Sequence, residues 1–248
     1  MPAVYDEIGH SYSVTRQPDP RIARVIREAL GEVRTVLNVG AGTGSYEPAD
    51  LQVVAVEPAH AMIQQRPARA APVVQAVAEH LPCANAAFDA TMAILTIHHW
   101  HNRAAGLTEM RRVARHRVVL LTWDPACCDA FWLINQYLPE ILDLDVPRFP
   151  SMAELSRCLG RIAVHPVPIP HDCQDGFLGA FWRRPEFYLD PNVRRAISGF
   201  AQLPPEVVNA ALAHLAEDLR SGQWDARFGR LRAQTSLDLG YRLIIAPL

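Results

Sequence analysis

The stretch Thr35-Val36-Leu37-Asn38-Val39-Gly40-Ala41-Gly42-Thr43-Gly44 decides the fold. Five residues of buried-strand character run straight into a turn in which every second residue is glycine. Glycine lacks a Cβ and tolerates positive φ, so such a turn lets a ligand approach the main chain closely. The next apolar run, Val53-Val54-Ala55-Val56, ends in Glu57. An acid at the end of the second strand suits a ribose, whose two hydroxyls it can accept together. Glycine turn and acid together point to an adenosine-containing ligand.

Outward from this centre the pattern alternates. Tyr5 to Leu30 holds Ile22, Val25, Ile26 and Ala29 at helical spacing after Pro18-Asp19-Pro20. Val73 to Val77, Phe88 to Leu95 and Arg117 to Thr122 read as strands, with a helix from Asn102 to Ala114. Ser151-Met152-Ala153-Glu154 has the form of a capping box, so a helix begins there and stops at Gly160. Ile162 to Ile169 and Leu239 to Ile245 read as the last two strands. Strands alternating with helices predict an α/β fold with a largely parallel sheet. The link from Gly44 to Val53 contains Pro48 and has room for only one helical turn.

Composition narrows the function. All 24 basic residues are arginine, which excludes Schiff-base chemistry, pyridoxal phosphate anchoring and a P-loop lysine. Net charge is only -2 and the arginines are scattered among acids, which argues against a nucleic-acid partner and for a small molecule. Cys83, Cys127, Cys128, Cys158 and Cys173 show no CxxC spacing and read as reduced thiols. His98, His99 and His101 lack a matching ligand pair, so no metal site is expected. No leader and no apolar run of bilayer length is visible, so the chain reads as cytoplasmic and free of the membrane.

Glycine spacing separates two cofactor classes. Dinucleotide binders use Gly-x-Gly-x-x-Gly, whereas here Ser45 holds the third place and the glycine stands at 44. Together with Val54-Ala55-Val56-Glu57-Pro58, Ala78-Glu79-His80-Leu81-Pro82 and Phe88-Asp89, the turn resembles the class I S-adenosylmethionine-dependent methyltransferases of the UbiE-like group (methyltransferase type 11). The resemblance covers residues 1 to 123 and implies a Rossmann-like seven-stranded sheet with its last strand antiparallel, plus a helical cap insertion. It implies that Gly40, Ala41, Gly42 and Gly44 border the methionine part of S-adenosylmethionine and that Glu57 holds the ribose. Pro58, Met62, Ala78 and Glu79 would lie by the adenine, Leu95 would close the site, and Tyr12 and Arg16 would face the methionyl end. Two positions depart from the pattern: Asn38 and Val77 stand where relatives commonly carry acids.

On this reading residues 1–248 form one methyltransferase domain. Residues 1–33 are a helical segment over the cofactor, 34–124 the cofactor-binding core and 125–160 a helical region. Residues 161–248 carry the last two strands and a cap insertion at about 170–236, too long for an ordinary loop. The acceptor site follows the fourth strand, where Leu95-Thr96-Ile97-His98-His99-Trp100-His101 leaves the carboxyl edge of the sheet. His98 and His99 are the candidate general bases, loop hydrogen bonding being their competing role. Phe131, Trp132, Tyr137, Phe177, Phe181, Trp182, Phe187 and Tyr188 either pack internally or line a pocket for an apolar or aromatic acceptor. Two other functions stay open: a cofactor-binding partner protein without catalysis, and a nicotinamide-dependent oxidoreductase.

Overall fold

The computed structural model describes residues 16–195 and 197–248. Its centre is a seven-stranded sheet of β1 (Thr35–Val39), β2 (Gln52–Val56), β3 (Val73–Val74), β4 (Phe88–Ile94), β5 (Ala114–Trp123), β6 (Ala163–Pro166) and β9 (Tyr241–Pro247), in the order β3-β2-β1-β4-β5-β9-β6. Neighbours from β3 to β5 run parallel, while β9 pairs antiparallel with β5 and with β6. The predicted mixed sheet with its last strand antiparallel is what the structure shows. Side chains alternate between two cores: Val36, Val53, Val119 and Leu121 face one layer, and Leu37, Val56, Val118 and Leu120 face the other.

Helix α1 (Pro20–Leu30) covers the first layer. Asp19 caps it by accepting from the Arg21 N–H at 2.9 Å, Pro20 opens it, and Gly31 at φ +65° ends it. Ile22, Ile26, Ala29 and Leu30 form its buried stripe. A short α2 (His60–Gln64) follows β2. The second layer is α3 (Arg103–Val113), capped by Asn102, and α5 (Met152–Leu159), which begins and ends where the capping motif and Gly160 predict. Ser151 accepts from the Glu154 N–H at 3.1 Å, but the Glu154 carboxylate binds Arg103 instead of completing a reciprocal box.

Two local expectations change. Only Val73 and Val74 of the third run pair, because β2 ends at Val56 and the chain beyond it turns through Glu57 and Pro58, leaving Gln75 onward without a partner strand. The run Ile162 to Ile169 is split: β6 stops at Pro166, and β7 (Ile169–Pro170) leaves the sheet to pair with β8 (Ser236–Leu237). Pro166 and Pro168 donate no N–H, so a continuous ladder is impossible there. The short link, residues 40–51, forms turns and no helix, in keeping with its length.

Beyond β5 and between β7 and β8 lie α4 (Glu140–Asp145), α6 (Pro191–Arg195), α7 (Ser198–Gln202), α8 (Pro205–Ser221) and α9 (Gln223–Phe228). Their aromatic residues mostly make a core of their own. Trp132 meets Trp224, Tyr137 and Tyr188 edge-on at centroid distances of 5.3 to 5.7 Å. Its indole N–H donates to the Trp182 carbonyl at 2.7 Å, and the Trp182 indole donates to the Ile169 carbonyl at 3.0 Å. Trp132, Trp182, Tyr188 and Phe131 are fully buried. Internal packing, not pocket lining, is their role. No helix among the described residues is long and apolar enough to cross a membrane.

Trp132→Phe keeps the ring in this cluster but leaves the Trp182 carbonyl without its donor. Urea unfolding of this variant is expected to show a loss of about 1–3 kcal/mol with an unchanged m-value.

Candidate functional site

At the carboxyl end of β1 the chain turns back across β2, where the Val56 carbonyl accepts from both the Gly40 N–H (2.8 Å) and the Ala41 N–H (3.0 Å). Gly40, Gly42 and Gly44 all take positive φ, at +71°, +52° and +93°. Their reasons differ. A Cβ on Gly40 would meet the Thr96 Oγ1 at 2.2 Å, so the loop after β4 dictates that glycine. Among the described residues, a Cβ on Gly42 would have only the Met62 methyl near it, at 3.3 Å, on the side of α2. A Cβ on Gly44 would press on Ala70, Glu47 and Arg66 at 3.1 to 3.3 Å.

Glu57 stands over the turn. Its carboxylate accepts from the Gly42 N–H at 2.8 Å and from the Ala59 N–H at 2.9 Å. The first bond ties the end of β2 to the glycine loop, and the second fixes the start of α2, where Met62 is buried. Pro58 is half-buried beside Glu57, and its carbonyl accepts from the Gln75 side chain. A carboxylate is an acceptor-only group with two oxygens, the chemistry that a pair of hydroxyl donors calls for. Glycine turn, anchored carboxylate and flanking methionine are thus brought together at the carboxyl ends of β1 and β2.

Ala78 is buried in the opposite layer beside Leu81. Glu79 accepts from the Asn102 N–H at 3.0 Å, at the start of α3, a bond that sequence reading does not anticipate. Leu95 ends β4 at φ +52°, a conformation that costs a branched side chain of this size on the order of 1–3 kcal/mol. Its N–H is held by the Leu121 carbonyl at 2.8 Å. The strained residue directs the chain into a short 3₁₀ turn, Ile97–His99.

That turn brings His98 and His99 together with ring centroids 3.8 Å apart. Phe149 stacks on His98 at 4.2 Å and meets Trp123 edge-on. Burial pushes the His98 imidazole well below its ordinary range, helped by His99, Arg148 and Arg16. Burial also pushes His99 down to about 3, again helped by Arg148 and Arg16. Both rings are therefore neutral near pH 7. The buried Nδ1 of His98 has no hydrogen-bond partner among the described residues. Arg148 and Phe149, in the loop before α5, escaped the sequence reading because nothing local marks them; the turn Pro147-Arg148-Phe149-Pro150 reads as a plain connection.

Arg16 lies beside this site, paired with the buried Asp175 through two nitrogens at 2.5 and 3.3 Å. Tyr46, at φ +63°, donates its hydroxyl to the same carboxylate at 2.8 Å. Asp175 thus joins residues 16, 46 and the segment after β7, and a lone acid in a long insertion gave no sign of it. Tyr12 lies outside the described residues.

The chain is similar to known proteins in sequence and fold. Residues 37–122 match the family model of a methyltransferase domain. A solved structure from Anabaena variabilis, described as a methyltransferase from an antibiotic biosynthesis pathway, is 35% identical, with a TM-score of 0.87 over 94% of this chain and 99% of that one. The chain belongs to the class I S-adenosylmethionine-dependent methyltransferases. More distant structures share the fold: the YcgJ protein of Bacillus subtilis (19% identity, TM-score 0.55, 92% and 97% covered) and the geranyl diphosphate C-methyltransferase of Streptomyces coelicolor in complex with S-adenosylhomocysteine (15%, 0.51, 91% and 76%). No protein of curated function matches the sequence significantly.

The neutral histidines give this methyltransferase an acid limb of stability. Both folded pKa values lie below the ordinary 6.5, that of His99 at about 3, so as pH falls below about 6.5 the unfolded chain binds protons that the folded chain refuses. Stability is therefore lost as pH falls through that range. Asp145 acts oppositely, because burial raises it from 3.8 to about 6 against the pull of Arg148: the folded state holds its proton, and stability is lost as pH rises towards 6. With two histidines against one acid, the urea midpoint is expected to be lower at pH 4.5 than at pH 7. A His98→Asn/His99→Asn chain is expected to lose most of that difference.

Proposed function

We propose that this methyltransferase acts on a small-molecule acceptor with an apolar or aromatic body, and that its cofactor lies along Gly40, Ala41, Gly42 and Gly44 with the ribose on Glu57. The observation that carries the reading is the Glu57 carboxylate, held by the Gly42 and Ala59 N–H groups over the glycine turn. Pro58, Met62, Ala78 and Glu79 would border the adenine, and Leu95 would close the site from β4. Tyr12 and Arg16 would face the methionyl end, where a guanidinium suits a carboxylate. The five cysteines, all free thiols, support a cytoplasmic protein.

The bound cofactor supplies an electrophilic methyl group on a sulfonium. What the chain itself must do is align a nucleophile and exclude water. The aromatic wall of His98, Phe149 and Trp123 supports a flat or apolar acceptor, and the burial that lowers both imidazoles supports a hydrogen-bonding role for them. A neutral imidazole accepts a hydrogen bond from an acceptor O–H or N–H and so orients its lone pair, but it is a weak base. His98 and His99 therefore serve as hydrogen-bonding groups towards the acceptor, with proton removal suited to groups that give up a proton readily.

Two experiments test this. Glu57→Ala is expected to weaken S-adenosylmethionine binding by about 1–3 kcal/mol in a calorimetric titration. Unchanged affinity in the folded variant would place the ribose elsewhere. Separately, with an acceptor found by a labelled-methyl substrate panel, His98→Asn or His99→Asn is expected to lower kcat about 10²-fold while cofactor affinity stays near parental. The pH–rate profile of the parent is expected to lack a limb near 6.5, and a limb there would show an imidazole titrating as the base.

A further inference from the structure

A glycine turn that opens a full helix has its backbone held by that helix. Here residues 45–51 form no helix, and another device stands in the same place. Arg66, just beyond α2, and Glu47 are an ion pair at 2.7 Å with side chains only 4% and 8% exposed. Nη1 of Arg66 donates to the Gly42 carbonyl at 3.0 Å, and Nη2 donates to both Glu47 oxygens and to the Ala71 carbonyl. Glu47 in turn accepts from the Ala71 N–H at 2.9 Å and from the Asn38 side chain at 3.2 Å. Gly42 is thereby gripped on both sides, its N–H by Glu57 and its C=O by Arg66. Gly44 is the residue whose Cβ would collide with this pair.

We propose that Arg66 and Glu47 are positioning residues for the cofactor: together they hold the Gly42 peptide in the orientation that the cofactor meets, replacing the missing first crossover helix. The inference rests on the cofactor lying at the glycine turn. Asn38, near the end of β1, belongs to the same network as a hydrogen-bond donor to Glu47. Arginine is required because one planar fork reaches Gly42, Glu47 and Ala71 at once, which a lysine ammonium on a flexible stem does not.

The test is calorimetric titration of the full chain with S-adenosylhomocysteine, well below the melting temperature, for Arg66→Lys, for the paired Glu47→Gln/Arg66→Met, and for Glu57→Ala as reference. The lysine variant keeps a charge beside Glu47, and the paired variant leaves no charge buried alone. In each, a cooperative melt with Kd raised about ten-fold or more is expected, the loss of one charge-assisted bond to the loop. Parental affinity in a folded Arg66→Lys or paired variant, with Glu57→Ala weakened, overturns the inference and leaves the cofactor site standing. Parental affinity in all three overturns both. If both Arg66 variants lose the cooperative melt, the pair is a folding element only and the inference fails.

Discussion

Parallel strands β1 and β2 are joined by residues 40–51 without a helix, and much of the site follows from that constraint. A parallel connection has to lift off the sheet and return, and a helix ordinarily satisfies its backbone on the way. Without one, the chain turns at once through three positive-φ glycines and then Tyr46, which accepts a left-handed conformation that a large side chain otherwise avoids. The carbonyl and amide groups this leaves are met by buried side chains: Glu57 on Gly42 and Ala59, Arg66 on Gly42 and Ala71, Glu47 on Ala71.

Such polar networks sit where an apolar core alone would hold the loop poorly. Buried charges are tolerated only when their donors and acceptors are met; here both terminal nitrogens of Arg66 are bonded, and its Nε has no partner among the described residues. Tyr46 extends the network to Asp175 and through it to Arg16. The same link brings the segment after β7 against the chain leading into α1, next to Asp19, which both caps that helix and accepts from the Gln174 N–H. Three regions distant in sequence are joined over the turn by carboxylates that no apolar residue could replace without leaving N–H groups unpaired.

The histidine turn shows the opposite principle. His98 and His99 carry the right chemistry for a base, yet packing against Phe149 and the nearby arginine charges hold both rings neutral. Desolvation that depresses basicity also strengthens any hydrogen bond the rings make. A dry wall with hydrogen-bonding nitrogens orients a nucleophile more readily than it removes a proton. Leu95, held at positive φ one step earlier, aims the turn at the carboxyl edge of the sheet.

The amino-acid sequence by itself determined the α/β class, the family and the glycine turn with its acid. β1, the glycines, Glu57 and the capped helices α1, α3 and α5 are each written in neighbouring residues, because strand periodicity, positive-φ glycines and helix caps are local physics. Only the tertiary structure decided the rest. The split at Pro166 and Pro168 and the shortening of β3 depend on which strand lies alongside. The aromatic residues between β7 and β8 are legible as apolar, but their choice between core and pocket depends on Trp132 and Trp224 meeting across the insertion. Asp175, Glu47 and Arg66 look like ordinary surface charges in the chain. They acquire meaning only when folding buries them against particular backbone atoms, since the worth of a charge is set by its surroundings and not by its position in the sequence.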